Sequence, residues 1–277
     1  MVELQKPANF QDFVRNNKDF LATNPMLYHF PIHSIKTALS GKVGVYNGFN
    51  IVNEKGSWLF ALHTDDACML YTTEYDPEML PLLSKEIGFE KFHRFEFAGT
   101  KALIDGLFRY EKAEYELQKH RIIYRCTTIS GPFPAPPGHP TMGDPRRLLE
   151  LGRMSVSFVK EYENRDITEE EGAASIAKCI REGGLYCWEN GNNICSVAEV
   201  LTNDYDFPVI GHFYTPPCLR RQGFGASLIY EVTKGLLNAG NESCMLSTNA
   251  TNPASNKVFL KVGYKPTGDY TLVYKNG

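Results

Sequence analysis

The sequence predicts a mixed α/β (α+β) chain built in two halves, and three observations carry that expectation. Apolar residues make up 43% and charged residues 22% of its 277 positions, the proportions of an ordinary folded chain. Strand-like and amphipathic helical runs alternate along both halves. Between the halves, residues 131–140 read GPFPAPPGHP, with five prolines and two glycines. Each proline fixes φ and removes an amide donor, so neither a helix nor a central strand runs through the segment. It reads as a stiff linker between a domain at 1–130 and a domain at 141–277, or as a long loop beside an active site.

The elements follow in order. Asn9 to Leu21 has Phe10, Phe13, Val14, Phe20 and Leu21 near one helical face. Val43 to Val52 and Ser57 to Leu62 read as strands of a hairpin through Asn53-Glu54-Lys55-Gly56, and Ala67 to Thr72 as a third strand. Pro77 to Glu86 and Lys101 to Leu117 read as helices, and Arg121 to Thr128 as the strand that closes the first half. In the second half, Pro145 to Glu163 is amphipathic. Thr168 with Glu171 forms a capping box for a helix that Gly183-Gly184 ends. Strands are expected at Leu185 to Glu189, Ile194 to Leu201 and Pro208 to Tyr214. A helix at Gly225 to Leu237, a strand at Ser243 to Thr248, a helix at Pro253 to Val262 and a strand near Asp269 to Tyr274 complete the chain.

Composition narrows the function. A formal charge of −3, from 29 Lys+Arg and 32 Asp+Glu, gives no support for a nucleic-acid partner. The apolar runs fall short of the ~18 residues that a spanning helix needs, and Met1 to Pro7 lacks a charged-then-apolar signal pattern. A cytoplasmic protein with no membrane partner is the expectation. The seven cysteines are scattered and never spaced CxxC, which predicts reduced thiols and no metal site.

The chemistry concentrates in Phe213 to Ala226, FYTPPCLRRQGFGA. An apolar strand ends in two prolines, and a basic loop then opens a helix through Gly223 and Gly225. Helix N-termini carry unpaired amides and partial positive charge, glycine admits an anion close to the backbone, and arginine adds bidentate donors. From the residues alone this is either a phosphate or pyrophosphate site or a glycine-containing turn with two solvated arginines. It is neither the GxxxxGK[ST] P-loop nor the three-glycine dinucleotide fingerprint.

The segment resembles the acyl-CoA loop of the GNAT superfamily of N-acetyltransferases, whose pattern Q/R-x-x-G-x-G/A is matched by Arg220-Arg221-Gln222-Gly223-Phe224-Gly225. Phe213-Tyr214-Thr215-Pro216-Pro217 is similar to the VYTPP that leads into that loop in one bacterial-type subset. Thr251 to Tyr264, TNPASNKVFLKVGY, is similar to the subset's NPxSNxxYxxxGY signature. The resemblance is close over about 184–270 and looser over 145–277. It implies an acyl-CoA, most simply acetyl-CoA, lying between two splayed parallel strands. Phe213, Tyr214 and Thr215 would meet the pantetheine arm through their backbone. Arg220, Arg221, Gln222, Gly223, Phe224, Gly225 and Ala226 would hold the pyrophosphate. Asn252 would reach the pantetheine side, with Asn256 a weaker candidate; Asn252 followed by Pro253 is also good helix-start chemistry.

Two residues depart from the pattern. Phe259 stands where the family often has a tyrosine that protonates the departing thiolate, and Asn249 where the subset commonly has an acidic residue. The implied reaction is acyl transfer to a primary amine of a small molecule or peptide by direct attack, which needs a base. Glu199 is the candidate, with His212 a second one that reads as structural; a solvated edge-strand carboxylate is the plainer reading of Glu199. The competing function is an acyl-CoA-binding sensor or partner module without turnover. Residues 1–130 carry no such loop and read as a degenerate GNAT-like unit or an unrelated α+β domain.

Overall fold

The computed structural model describes residues 1–131, 135–201 and 207–276. The elements are β1 (Val2–Gln5), α1 (Phe10–Thr23), α2 (His29–Leu39), β2 (Val45–Asn53), β3 (Trp58–Thr64), β4 (Cys68–Thr72), α3 (Leu80–Ile87), β5 (Glu96–Gly99), α4 (Lys101–Tyr110) and β6 (Tyr115–Cys126). They continue as β7 (His139–Met142), α5 (Leu148–Glu163), α6 (Glu169–Arg181), β8 (Leu185–Asn190), β9 (Asn193–Leu201), β10 (Val209–Tyr214), α7 (Phe224–Asn238), β11 (Cys244–Asn249), α8 (Pro253–Val262) and β12 (Lys265–Lys275).

The chain divides into two compact units. One is Met1–Ile123 with Asn249–Thr251 and Thr267–Gly277; the other is Tyr124–Thr248 with Asn252–Pro266. The division falls ahead of the proline-rich segment, and most of the C-terminal strand returns to the first unit.

In the first unit the strands run in the order β1, β2, β3, β4, β5, β12, β6. β1 to β4 pair antiparallel in succession, and β4 and β5 pair parallel. β12 then pairs antiparallel with β5, Thr271 opposite Gly99 and Val273 opposite Phe97. The core gathers Phe49, Leu59, Leu70, Leu83, Phe97 and Leu107. In the second unit the order is β11, β10, β9, β8, β7. β7 to β10 pair antiparallel, and β10 and β11 pair parallel. Leu151 of α5 and Ile176 of α6 pack with Leu185 and Val197. The two helices approach closely at Gly152 and Gly172; a β-carbon on Gly172 would stand 2.6 Å from Gly152 O.

Both units therefore repeat one order: strand, two helices, an antiparallel pair, a third strand parallel to a fourth across a helix, then a second helix. This is the expected mixed α/β class, with the same order of elements in each unit. Ile87-Gly88-Phe89 and Val262-Gly263-Tyr264 are alike in sequence and share one kind of helix ending. Gly88 (φ 65) and Gly263 (φ 118) are the left-handed C-caps of α3 and α8.

Several boundaries differ from the expectation. The helix expected over Lys101 to Leu117 ends at Tyr110, with Lys112 at φ 53 just beyond, and Tyr115 already begins β6. Phe108 and Tyr115, seven apart, fit a helical period, yet they meet edge to face at 5.0 Å across the turn. β1, β5 and β7 have four residues each, too few for alternation to show. α2 opens with Pro31 inside its first turn and was not expected. The linker expected at 131–140 is a strand at its end: His139 and Pro140 pair with Glu189 and Trp188 on the edge of the sheet, where a proline costs no ladder bond. Its residues 132–134 lie outside the described residues. Ala135 to Gly138 are not free, since Pro137 O accepts from Trp188 Nε1 at 3.2 Å.

The role of β12 can be tested directly. Deleting Thr267–Gly277 strips β5 of its antiparallel partner and removes the buried Tyr270, Leu272 and Val273. Such side chains contribute about 1.5–3 kcal/mol each, a large part of a typical 5–15 kcal/mol stability. The shortened chain is expected to lose cooperative thermal unfolding by circular dichroism. A soluble product with the parent's melting curve would show that residues 1–123 close the first unit alone.

Candidate functional site

The site is built where β10 leaves β11. Their parallel pairing spans Val209 with Met245 and Ile210 with Leu246, and goes no further. Against β9, Gly211 lies opposite Glu199 and Tyr214 opposite Val197, so His212 and Phe213 together face one residue. This is a β-bulge, and His212 sits in it at φ 44. Side chains then alternate: the Tyr214 hydroxyl donates to Glu161 Oε1 of α5 at 3.0 Å, while the Phe213 ring lies by Gly225 and 5.7 Å from Phe259.

After β10 the chain turns through a single 3-10 turn at Pro217–Leu219 and enters α7. Arg221 (φ 64) and Gly223 (φ 93) both take left-handed backbone. No residue side chain caps α7. Arg220 (φ −69, ψ 158) and Arg221 (φ 64) form a turn that the Gln222 amide closes, while among the described residues the amides of Arg221 and of Gly223 to Ala226 find no backbone acceptor; the first helical bond is Ser227 N to Gly223 O at 3.0 Å. Four consecutive amides at a helix N-terminus, with that of Arg221 beside them, make a cradle able to receive an anion. Gly225 is required by packing, since a β-carbon there would stand 2.7 Å from Phe213 Cζ and 2.8 Å from Thr215 Oγ1.

The two arginines divide. Arg220 donates through Nε to Thr215 O at 2.9 Å and through Nη2 to Glu161 Oε2 at 2.6 Å, with its guanidinium 5.6 Å from the Tyr214 ring centroid. It ties the loop to α5. Arg221 has no hydrogen bond or ion pair among the described residues and is exposed, so it is the free cation beside the cradle. Gln222 Nε2 donates to Cys218 O at 3.2 Å, within the loop. Ser196 Oγ donates to Tyr214 O and lies 2.9 Å from Thr215 Oγ1, fixing the strand end. Pro136 lies against Gly223, 3.5 Å from where its β-carbon would be.

Asn252 caps α8, Oδ1 accepting from Ser255 N at 3.1 Å, with Pro253 following. Asn256 has both arms engaged: its Nδ2 donates to Asn252 O at 2.7 Å, and its Oδ1 accepts from the Tyr124 hydroxyl at 2.7 Å. Phe259 is buried between Tyr124, Phe213 and Tyr264. Glu199, opposite Gly211, accepts from Cys179 Sγ of α6 at 2.8 Å. Burial, with this carboxylate beside it, pushes the Cys179 thiol up to about 12. The structure thus brings Phe213 to Ala226 together and sets Glu199 one strand away. Sequence reasoning missed Glu161, Ser196, Tyr124 and Pro136. Glu161 lies 59 positions from the arginine it holds, and no local pattern links them.

Among the described residues, no group of His, Cys, Asp and Glu is placed to hold a metal, and no helix is long and apolar enough to cross a membrane.

Comparison with known proteins bears on the fold. The family described as FR47-like protein matches residues 189–272. An acetyltransferase from the GNAT family of Colwellia psychrerythraea has a similar structure, at 13% identity and TM-score 0.55, covering 99% of this chain and 100% of that one. A GCN5-related N-acetyltransferase from Sphaerobacter thermophilus is similar at 15% identity and TM-score 0.57, covering 99% and 95%. None of the curated proteins compared matches the sequence. The chain has the GNAT fold.

Three stability measurements follow. Gly225→Ala forces a contact with Phe213 and Thr215 and is expected to cost about 1–3 kcal/mol. Phe259→Tyr places a hydroxyl in an aromatic cluster and should lower stability by about 1–3 kcal/mol unless the hydroxyl reaches a partner. Burial lowers the His212 imidazole from 6.5 to about 4, so the unfolded chain binds its proton first as pH falls. The native state therefore loses stability from about pH 6.5 down to 4, and urea titrations of His212→Phe should show a shallower acid-side decline.

Proposed function

We propose that the chain is an acyl-CoA-dependent N-acyltransferase, most simply one that moves acetyl from acetyl-CoA to a primary amine. One observation carries the reading: the amides of Arg221 and of Gly223 to Ala226, without acceptors among the described residues, follow directly on the strand end where β10 and β11 stop pairing. A pyrophosphate satisfies the amides, and a chain of amides such as pantetheine satisfies backbone groups along the parted strands. Bound there, acyl-CoA supplies an activated acyl carbon with a thiolate leaving group.

In this reading Arg221, Gln222, Gly223, Phe224, Gly225 and Ala226 hold the pyrophosphate, the first with its side chain as well. Arg220 serves through its clamp on Glu161 and Thr215 O. Phe213, Tyr214 and Thr215 line the pantetheine path, with Asn252 beyond. Asn256 supports the first turn of α8. Glu199 is the carboxylate that this reading places nearest the acceptor, which is a small-molecule or peptide amine.

A second reading, acyl-CoA binding without turnover, is favoured by Phe259, which offers no proton to a leaving thiolate. Calorimetry with CoA and free-thiol release from acetyl-CoA with a panel of amines separate the two. Binding together with amine-dependent thiol release is expected; binding with no release on any amine would leave a sensor. Arg221→Ala should raise the CoA dissociation constant about tenfold or more, the scale of a hydrogen bond to a charged group. If Arg221→Ala and Gly223→Val both bind CoA like the parent, the cradle is not the site.

A further inference from the structure

The side chain that this reading leaves unused is His212. It occupies the bulge of β10 at φ 44, two residues beyond the last rung shared with β11. A non-glycine residue keeps such a backbone only where its surroundings impose it, and such positions gather at functional sites. The imidazole is stacked on Phe158 of α5, ring centroids 4.3 Å apart at 26°, and Phe158 is stacked in turn on Tyr162 at 5.0 Å. Its Nε2 is buried and has no hydrogen-bond partner among the described residues. A buried polar atom left unpaired is costly and rare. Here it sits in the bulge at which the sheet opens.

We propose that His212 Nε2 accepts an N–H of the incoming amine and takes its proton as the amide bond forms. This rests on the acyl-transfer reading given above. The step balances. The amine lone pair forms the N–C bond, and the C–S bond breaks with its electron pair going to sulfur. One amine proton passes to His212 Nε2, and the imidazolium returns a proton to sulfur or to solvent. Glu199, whose Oε1 already accepts from Cys179, is left with an electrostatic part.

The elements packed around the imidazole carry Glu150, Arg153, Lys160, Glu161 and Glu163 on α5, Glu199 on β9, and Arg220 and Arg221 in the loop; among these the carboxylate that acts on the imidazole is Glu163. Burial outweighs the pull of Glu163 and holds His212 near 4, so the ring is neutral and able to accept throughout the physiological range. So weak a base does not strip a proton from an alkylammonium ion. The acceptor nitrogen must therefore already be neutral when it attacks.

The test uses the full chain with acetyl-CoA, and hydroxylamine as a small acceptor that is largely neutral above pH 7, read by thiol release. His212→Phe keeps a ring against Phe158 and removes the acceptor. His212→Gly suits the left-handed backbone and leaves room for free imidazole. Both should keep the parent's CoA affinity and lose about 10²-fold or more in turnover, with Glu199→Gln losing less. Added imidazole should restore turnover in His212→Gly, in proportion to its concentration, and do nothing for His212→Phe. Parental turnover in His212→Phe overturns the proposal, as does a CoA-binding His212→Gly that imidazole leaves unrescued. Should the phenylalanine variant fail to fold, the glycine variant and its imidazole response decide. A parent that binds CoA but releases no thiol, or binds none, sinks the acyl-transfer reading itself; an active parent with unaffected variants sinks the role of His212 alone.

Discussion

The second unit is organised by one interruption: β10 and β11 share two rungs and then part. A sheet does not open without cause, because each parted residue exposes a donor or acceptor that needs a partner. The bulge at His212 supplies the local bend, turning β10 while its antiparallel register with β9 resumes at Tyr214. Ser196 and Arg220 then hold the carbonyls of Tyr214 and Thr215, so the strand end is fixed although its parallel neighbour is gone. The amide cradle follows within a dozen residues because the chain that leaves β10 must turn back into α7.

The first unit shows what the same order of elements does without that interruption. β4 and β5 stay paired over Cys68 with Phe97, Met69 with Ala98 and Leu70 with Gly99, and Thr100 N reaches Leu70 O at 3.3 Å. The approach is so close that a β-carbon on Gly99 would stand 1.9 Å from Leu70 O. The turn after β4 is acidic, Asp76 accepting from Glu78 N at the start of the following turn, where the second unit has arginine and glycine. A closed strand pair and an acidic helix entry both disfavour an anionic ligand. The fold alone therefore does not make the cradle; the bulge and the loop do.

Charge in the loop is divided by geometry. Arg220 and Arg221 are neighbours of like charge, but the left-handed turn at Arg221 sends them apart. One is held in a three-way arrangement with Glu161 and Tyr214, which also raises the tyrosine hydroxyl through burial and the adjoining carboxylate. The other remains exposed beside the amides. A partnered arginine anchors the loop, an exposed one keeps its donors open to solvent, and the bare motif does not say which is which.

Local pattern alone was enough to read the α/β class, most of the helices and strands of the second half, the capping box at Thr168 and the place of the glycine-containing loop before α7. These are local: periodicity, caps and glycine positions act within a few residues, where the chain's own sterics decide. It left out β1, β5 and β7, whose four residues acquire their conformation from a neighbouring strand, and it ran α4 into β6 because Phe108 and Tyr115 satisfy both a helix period and a turn. The tertiary structure was needed to show that β12 closes the first unit, that Glu161 claims Arg220, that Phe259 is walled by three aromatic rings, and that His212 stands strained in a bulge, its Nε2 without a partner among the described residues. Each of these depends on partners dozens of residues away, and a hydrogen bond or a packed ring is fixed by distance in space rather than by separation along the chain.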